Sequence, residues 1–305
     1  MALTAPEHQS LGRRIIRFVA LTIGLILLMG ILVVSLSSLT TWVPEVLPSP
    51  LLQEMTYEWS ILLISVLTAV RLLDFFDTKF GWRGLGFGLT NFSKGLTNGS
   101  LTALVILGVC FVLLLIGGWV QVTNINLSPA LLLGWFVFFL IQPLAEEVLM
   151  RSFLQNQLHR LFGPWVGLLG SAIVFGLLHL GNNAFTWIAG LEIMAGGFLM
   201  GLLFLYTQNI WGAFAMHAVW NFLQSVVMGF AVSGLDTYQL LDLQVEGPDW
   251  LTGGEFGLEG SVLSLLLLLV AIWYYWPSTK EAVPAVIHQK IPIAEDTLVD
   301  ESDTI

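Results

Sequence analysis

The sequence predicts an all-α, polytopic membrane protein of about eight transmembrane helices that enclose an intramembrane polar cavity. Composition is the first reason. Of 305 residues, 56% are hydrophobic and only 10% are charged, whereas a soluble domain carries about a quarter charged residues. Mean hydropathy is +0.83. The second reason is length: eight apolar runs each approach the ~20 residues a helix needs to cross about 30 Å of hydrocarbon. The third is that three later runs carry paired polar residues. Ionisable groups at membrane depth are costly and mark working sites.

The runs cover roughly 15–39, 57–76, 101–120, 129–155, 164–180, 185–205, 210–231 and 258–276. They are too long and continuous for the alternating strands of a membrane barrel, the only other spanning solution. The first, Phe18 to Val34, follows Arg13, Arg14 and Arg17, as in a signal peptide. It exceeds the ~7–15 apolar residues of such a signal and no small-x-small cleavage site follows, so a retained helix is expected. Between the second and third runs, Arg83 to Ser100 is rich in Gly and Phe and holds Lys94, as expected of a helix lying in the interface. Phe162-Gly163-Pro164 forms the turn between the fourth and fifth.

The organisation expected is therefore N-terminal helices with the interfacial segment over 1–124, a core of four helices over 125–231, an acidic loop over 232–257, a last helix over 258–276 and a tail over 277–305. The loop, with Asp236, Asp242, Glu246, Asp249 and Glu255, reads as a solvated acidic face rather than a cation site. The tail, with Pro284, Pro292 and a closing acidic cluster, reads as disordered. Cys110, the single cysteine, lies in an apolar run and reads as core packing. There is no internal repeat.

With eight spans, all 11 lysines and arginines fall on one side, and the loops near 40–57, 121–128, 181–184 and 232–257 carry none. The positive-inside rule then places both termini in the cytoplasm. The net charge of −10 comes from acids in one loop and one tail, so it gives no support to nucleic-acid binding. The absence of an Arg- and Ser-rich transit-like leader favours a bacterial plasma membrane over an organelle membrane such as the thylakoid.

In the fourth run, Glu147 and Arg151 are four residues apart, share a helix face and stand in the favourable order for an ion pair. Glu146 points about 100° away, towards Met150. It must find a partner elsewhere or take up a proton. Phe175 and His179 repeat the four-residue spacing in the fifth run, and His217 and Asn221 in the seventh. Glu146 lies 17 residues before Gly163 and His179 16 after it. Antiparallel helices thus set both about 25 Å from the turn. His217, eight residues past Asn209, is about 12 Å deep. The three pairs can meet if the hairpin at Gly163 extends beyond the bilayer, which predicts a cavity open to the cytoplasm.

Each pair also has a structural reading. His217 with Asn221 can be interhelical glue, Glu147 with Arg151 a structural ion pair, and Phe175 core packing. Glu146 is the hardest to explain without function. Glu192 in the sixth run is a further intramembrane carboxylate, open to reading as a proton relay, a packing group or a pore-lining residue.

Taken in order, Glu146-Glu147-xxx-Arg151, Phe175-xxx-His179 and His217-xxx-Asn221 resemble the CAAX-protease and bacteriocin-processing (Abi) family, which includes the type II CAAX prenyl endopeptidases. The resemblance covers about 125–230, with no departure at any motif position. It implies an eight-helix intramembrane endopeptidase. In that role Glu146 and His179 activate the attacking water and His217 and Asn221 stabilise the oxyanion. Glu147 and Arg151 hold the geometry, while Phe175 shapes the pocket. Whether a metal takes part stays open: Glu146, His179 and His217 could hold zinc with one free position, yet HExxH is absent and a mechanism without a tightly held metal also fits. GxSxG and GxGD, marks of other intramembrane proteases, are absent.

The substrate implied is a membrane-associated protein or peptide met in the lipid bilayer. It could be prenylated, a peptide precursor or a regulatory membrane protein. Two other readings stand beside hydrolysis. One is a non-proteolytic immunity factor or scaffold on the same fold. The other is a transporter with a proton path through Glu146, His179 and Glu192, which the lack of two related halves disfavours.

Overall fold

The computed structural model describes residues 10–37, 47–79 and 81–288. Every apolar run is helical. Helix α1 spans Leu11–Ser37 and α2 Pro50–Asp77. The start of α2 is fixed by Ser49, whose hydroxyl accepts from Leu52 N at 3.1 Å, and by Pro50 at the first helical position. Both are favoured where helix N–H groups lack partners. α3 spans Phe92–Ile116 after an irregular turn over Arg83–Phe87. Residues 92–100 are thus the first turns of a long helix: Gly95 and Gly99 sit against the chain at 209–216, while Phe92, Ser93, Lys94 and Thr97 stay exposed.

α4 spans Pro129–Glu147, capped by the Ser128 hydroxyl, and the helical path continues through wide π-type turns over Val148–Gln155 into α5, Asn156–Phe162. Gly163, at φ 100°, makes the turn into α6, Pro164–Leu178. This left-handed conformation suits glycine. α7 spans Trp187–Thr207 and α8 Trp211–Asn221, which runs on as π-type turns over Phe222–Val227. After the short α9, Asp249–Thr252, α10 spans Val262–His288 and passes Pro277. Residues 289–305, the rest of the expected tail, lie outside the described residues.

Among the described residues, five continuous helical stretches could cross a membrane by length and composition: Leu11–Ser37, Pro50–Asp77, Arg83–Ile116, Pro129–Phe162 and Trp187–Thr207. Pro164–Leu178 and Val262–Pro277 are shorter apolar helices. Large apolar side chains such as Ile16, Val34, Ile116, Trp187 and Trp273 are exposed on the outer faces, as lipid contact requires.

One small sheet interrupts the helices. β1, Val120–Ile125, pairs antiparallel with β2, Leu241–Val245, in register Val120 with Val245 and Ile125 with Leu241. The acidic loop is therefore partly ordered. Asp242 accepts from Asn126 Nδ2 at 2.6 Å, and Glu246 from Gln244 Nε2 at 2.6 Å.

α3 approaches α8 most closely. A methyl group on Gly99 would lie 2.2 Å from the Gly212 carbonyl oxygen and 2.8 Å from Met216 N, so only glycine permits this backbone contact. The contact fixes the height of α8, which carries His217 and Asn221. Cys110 is fully buried in the same core. At one end of the bundle, Arg17 and Arg160 both pair with Asp77, at 2.6 and 2.7 Å, and Arg14 donates to the Leu161 carbonyl.

Candidate active site

The helical path through α4 carries Gln142, Pro143, Glu146 and Glu147 and then widens. Pro143 has no N–H to donate, and π-type turns follow directly over 148–155. Such turns recur at functional sites because they re-aim side chains off the regular helical spacing. Here they carry Arg151, which still reaches back: its Nε donates to Glu147 Oε2 at 2.8 Å, with both side chains fully buried. Arg151 Nη1 also donates to Gln155 Oε1 at 3.4 Å and Ser171 Oγ at 3.3 Å, and the guanidinium stands 5.8 Å from the Phe175 ring centre.

Glu147 then joins the third motif to the first. Its Oε1 accepts from His217 Nδ1 at 3.0 Å. The other imidazole nitrogen, Nε2, faces Glu146 Oε2 at 3.7 Å. Phe175 is wedged between the two histidines, its ring centre 4.8 Å from His179 and 5.7 Å from His217. His179 closes α6, and its Nδ1 donates to the Phe175 carbonyl oxygen at 2.8 Å. In the neutral ring that proton on Nδ1 makes Nε2 the acceptor.

Glu146 behaves differently from its neighbour. Its Oε1 accepts from Gln142 Nε2, and Gln142 Oε1 in turn accepts from Asn221 Nδ2 at 3.0 Å. Its Oε2 is buried with no hydrogen-bond partner among the described residues. A carboxylate oxygen out of bulk water without a donor costs free energy, and the nearest ring nitrogen, His217 Nε2, stands off at 3.7 Å.

All seven residues singled out by the sequence come together. Glu146, Phe175, His179, His217 and Asn221 line one cavity of about 1090 Å³, mouth included, while Glu147 and Arg151 sit directly behind its wall. The rest of the lining is largely apolar, from Leu62, Val66, Phe138, Phe139, Leu149 and Leu178. Ligand sites commonly combine such walls with a few placed polar groups. The cavity does not reach the end of the bundle that holds Arg14, Arg17 and Arg160, where the sequence placed its opening. It runs to Met55 and Trp59 at the start of α2, and to Asn182 and Val232–Leu235. Glu146 on the α4 path and His179 on α6 do line the same cavity, as their equal spacing from Gly163 predicts, but helix spacing says nothing about which loops fold over the site.

Three residues escaped the sequence reading. Gln142 ties Glu146 to Asn221; a lone amide one turn before Glu146 in an apolar run was the available signal. Ser233 donates through N and Oγ to Glu259 Oε2, at 2.5 and 2.8 Å. Glu259 and Glu192 line a second cavity of about 400 Å³ that shares His179 and His217 with the first. Glu192 accepts from Ser264 Oγ at 2.6 Å, so it packs α7 against α10 and lines that cavity at once.

Among the described residues, no group of three His, Cys, Asp or Glu side chains is arranged to hold a metal ion. His217 Nδ1 is already bonded to Glu147 and His179 Nδ1 to the Phe175 carbonyl. These Nδ1 bonds leave Nε2 of each imidazole unused, and the chemistry below is derived from side chains alone.

Comparison with known proteins agrees with the motifs. Residues 127–223 match the family described as Rce1-like, type II CAAX prenyl endopeptidase Rce1-like. The match covers about a third of the chain and contains every motif residue. No curated protein and no solved structure matches.

Proposed function

We propose that this chain, whose residues 127–223 match the type II CAAX prenyl endopeptidase Rce1-like family, hydrolyses a peptide bond of a membrane-associated protein or peptide with water activated by Glu146 and His179. The observation that carries the reading is convergence: a buried, undonated carboxylate oxygen, two imidazoles and an amide face one apolar-walled cavity.

The steps follow from these atoms. Glu146 Oε2 takes a proton from water as its oxygen attacks the carbonyl carbon, with His179 Nε2 as the second acceptor that orients it. The carbonyl π electrons move onto oxygen. Asn221 has one amide N–H committed to Gln142 and one free, which can donate to that oxyanion. His217 is held by Glu147 through Nδ1, and a proton on Nε2, between two carboxylates, makes it the second donor. Fixed donors in a low-dielectric cavity stabilise developing charge far better than they could in water. The tetrahedral adduct collapses as the C–N bond breaks, and the proton held by Glu146 passes to the leaving amine. Glu147, Arg151 and Phe175 keep the imidazoles in place.

A scaffold or immunity role on the same fold needs the cavity but not the undonated Glu146 oxygen, and a proton-coupled carrier needs a path through Glu192. Cleavage separates them. The purified protein in liposomes is offered quenched peptides, prenylated and plain, with and without a chelator. Wild type is expected to cleave, and Glu146→Gln and His179→Ala to lose about 10²–10⁴-fold in rate. Undiminished cleavage by folded Glu146→Gln contradicts the assignment.

A further inference from the structure

The cavity and the basic residues lie at opposite ends of the bundle. Met55 and Trp59, which line the cavity, precede Asp77 by 22 and 18 residues along one continuous helix. That is about 33 and 27 Å at 1.5 Å per residue, close to the ~30 Å thickness of the hydrocarbon. Asp77 is where Arg17 and Arg160 pair, and Arg14 donates to Leu161 beside them. Lys94 stands over the Tyr206 ring, 3.9 Å from its centre, near the same end of α7.

Around the mouth the charge is reversed. Glu54 and Glu58 are exposed on the turn of α2 that supplies Met55 and Trp59, and exposed Asp236 follows Leu235 of the lining. Among the described residues, no lysine or arginine lies in 47–66, 117–128, 180–186 or 228–261, the segments at that end. Lysine and arginine are retained on the cytoplasmic side of a membrane protein.

We propose that the cavity opens to the non-cytoplasmic side and takes its substrate from there: a membrane-anchored polypeptide whose scissile bond is exposed on, or just below, that face. A cytoplasmic prenylated C-terminus is then not its substrate. The substrate class rests on the peptidase reading above, but the direction of opening does not.

The test is cysteine labelling of the full chain in intact bacterial spheroplasts with a membrane-impermeant maleimide. Wild type is the unlabelled control because its single cysteine, Cys110, is fully buried. Asp236→Cys marks the mouth and Ser10→Cys the basic end. Glu255→Cys and Gly12→Cys form a second pair, so that a poorly folded variant does not decide the outcome. Mouth cysteines are expected to react in intact spheroplasts, and basic-end cysteines only after permeabilisation. The reverse pattern overturns the proposal while leaving the peptidase reading untouched. If the labelling is as expected but the wild type shows no cleavage that depends on Glu146, the peptidase reading is overturned instead.

Discussion

Glu147 and Glu146 are neighbours in the chain with opposite surroundings. Glu147 has Arg151 on one oxygen and His217 on the other, so its charge is balanced within the protein. Removing one member of a buried ion pair leaves the other uncompensated and costs about 3–5 kcal/mol. Arg151→Met is therefore expected to lower stability by about that amount, read by thermal unfolding in detergent, and the Glu147→Gln/Arg151→Met double variant to recover part of the loss. An Arg151→Met protein as stable as wild type would contradict a structural role for the pair. The inequality of the two glutamates was legible in the sequence because i,i+4 spacing assigns Arg151 to Glu147 alone. The partner of Glu146 was only half legible. Gln142 has the same spacing on the other side, but an amide in an apolar run carries no charge to call attention to it. Glu259 was hidden for another reason: its partner Ser233 lies 26 residues away across a loop, and no local period encodes such a contact.

At the scale of elements, the site depends on heights fixed by helix packing. Gly99 lets α3 touch the α8 backbone at Gly212 and Met216, five residues and one residue before His217. A side chain there must push the helices apart, and overpacking of this kind costs about 1–3 kcal/mol. Gly99→Val is expected to destabilise by that much and to reduce cleavage by shifting His217. Full activity and stability in Gly99→Val would mean that this contact does not set the site. Hydropathy revealed the helical runs because each is long and continuous. It could not show the π-type turns over 148–155 and 222–227, since the change is in hydrogen bonding, not composition. The pairing of β1 with β2 was also invisible: six- and five-residue strands separated by more than a hundred residues leave only a weak alternating pattern. The close packing of Gly95 and Gly99 against the chain at 209–216 was equally hidden, because a glycine in an apolar stretch does not say which helix it meets.

Over the whole molecule, an apolar exterior encloses a cavity with polar groups on one wall. Membrane residence follows from the exposed apolar side chains of α1, α3 and α10 together with the five long helical stretches. The largely apolar walls of the cavity surround its few polar groups. Under the proposed mechanism, hydrolysis depends on a single water held at Glu146 and His179. The most direct measurement is single-turnover cleavage in H₂¹⁸O by the protein in liposomes, using a peptide that the wild type cleaves. Product and enzyme are then analysed by mass spectrometry. Direct attack by activated water predicts ¹⁸O in the new product carboxylate and none in Glu146. Label in Glu146 with an unlabelled product would mean that the glutamate attacks the carbonyl itself, and would contradict its assignment as the base.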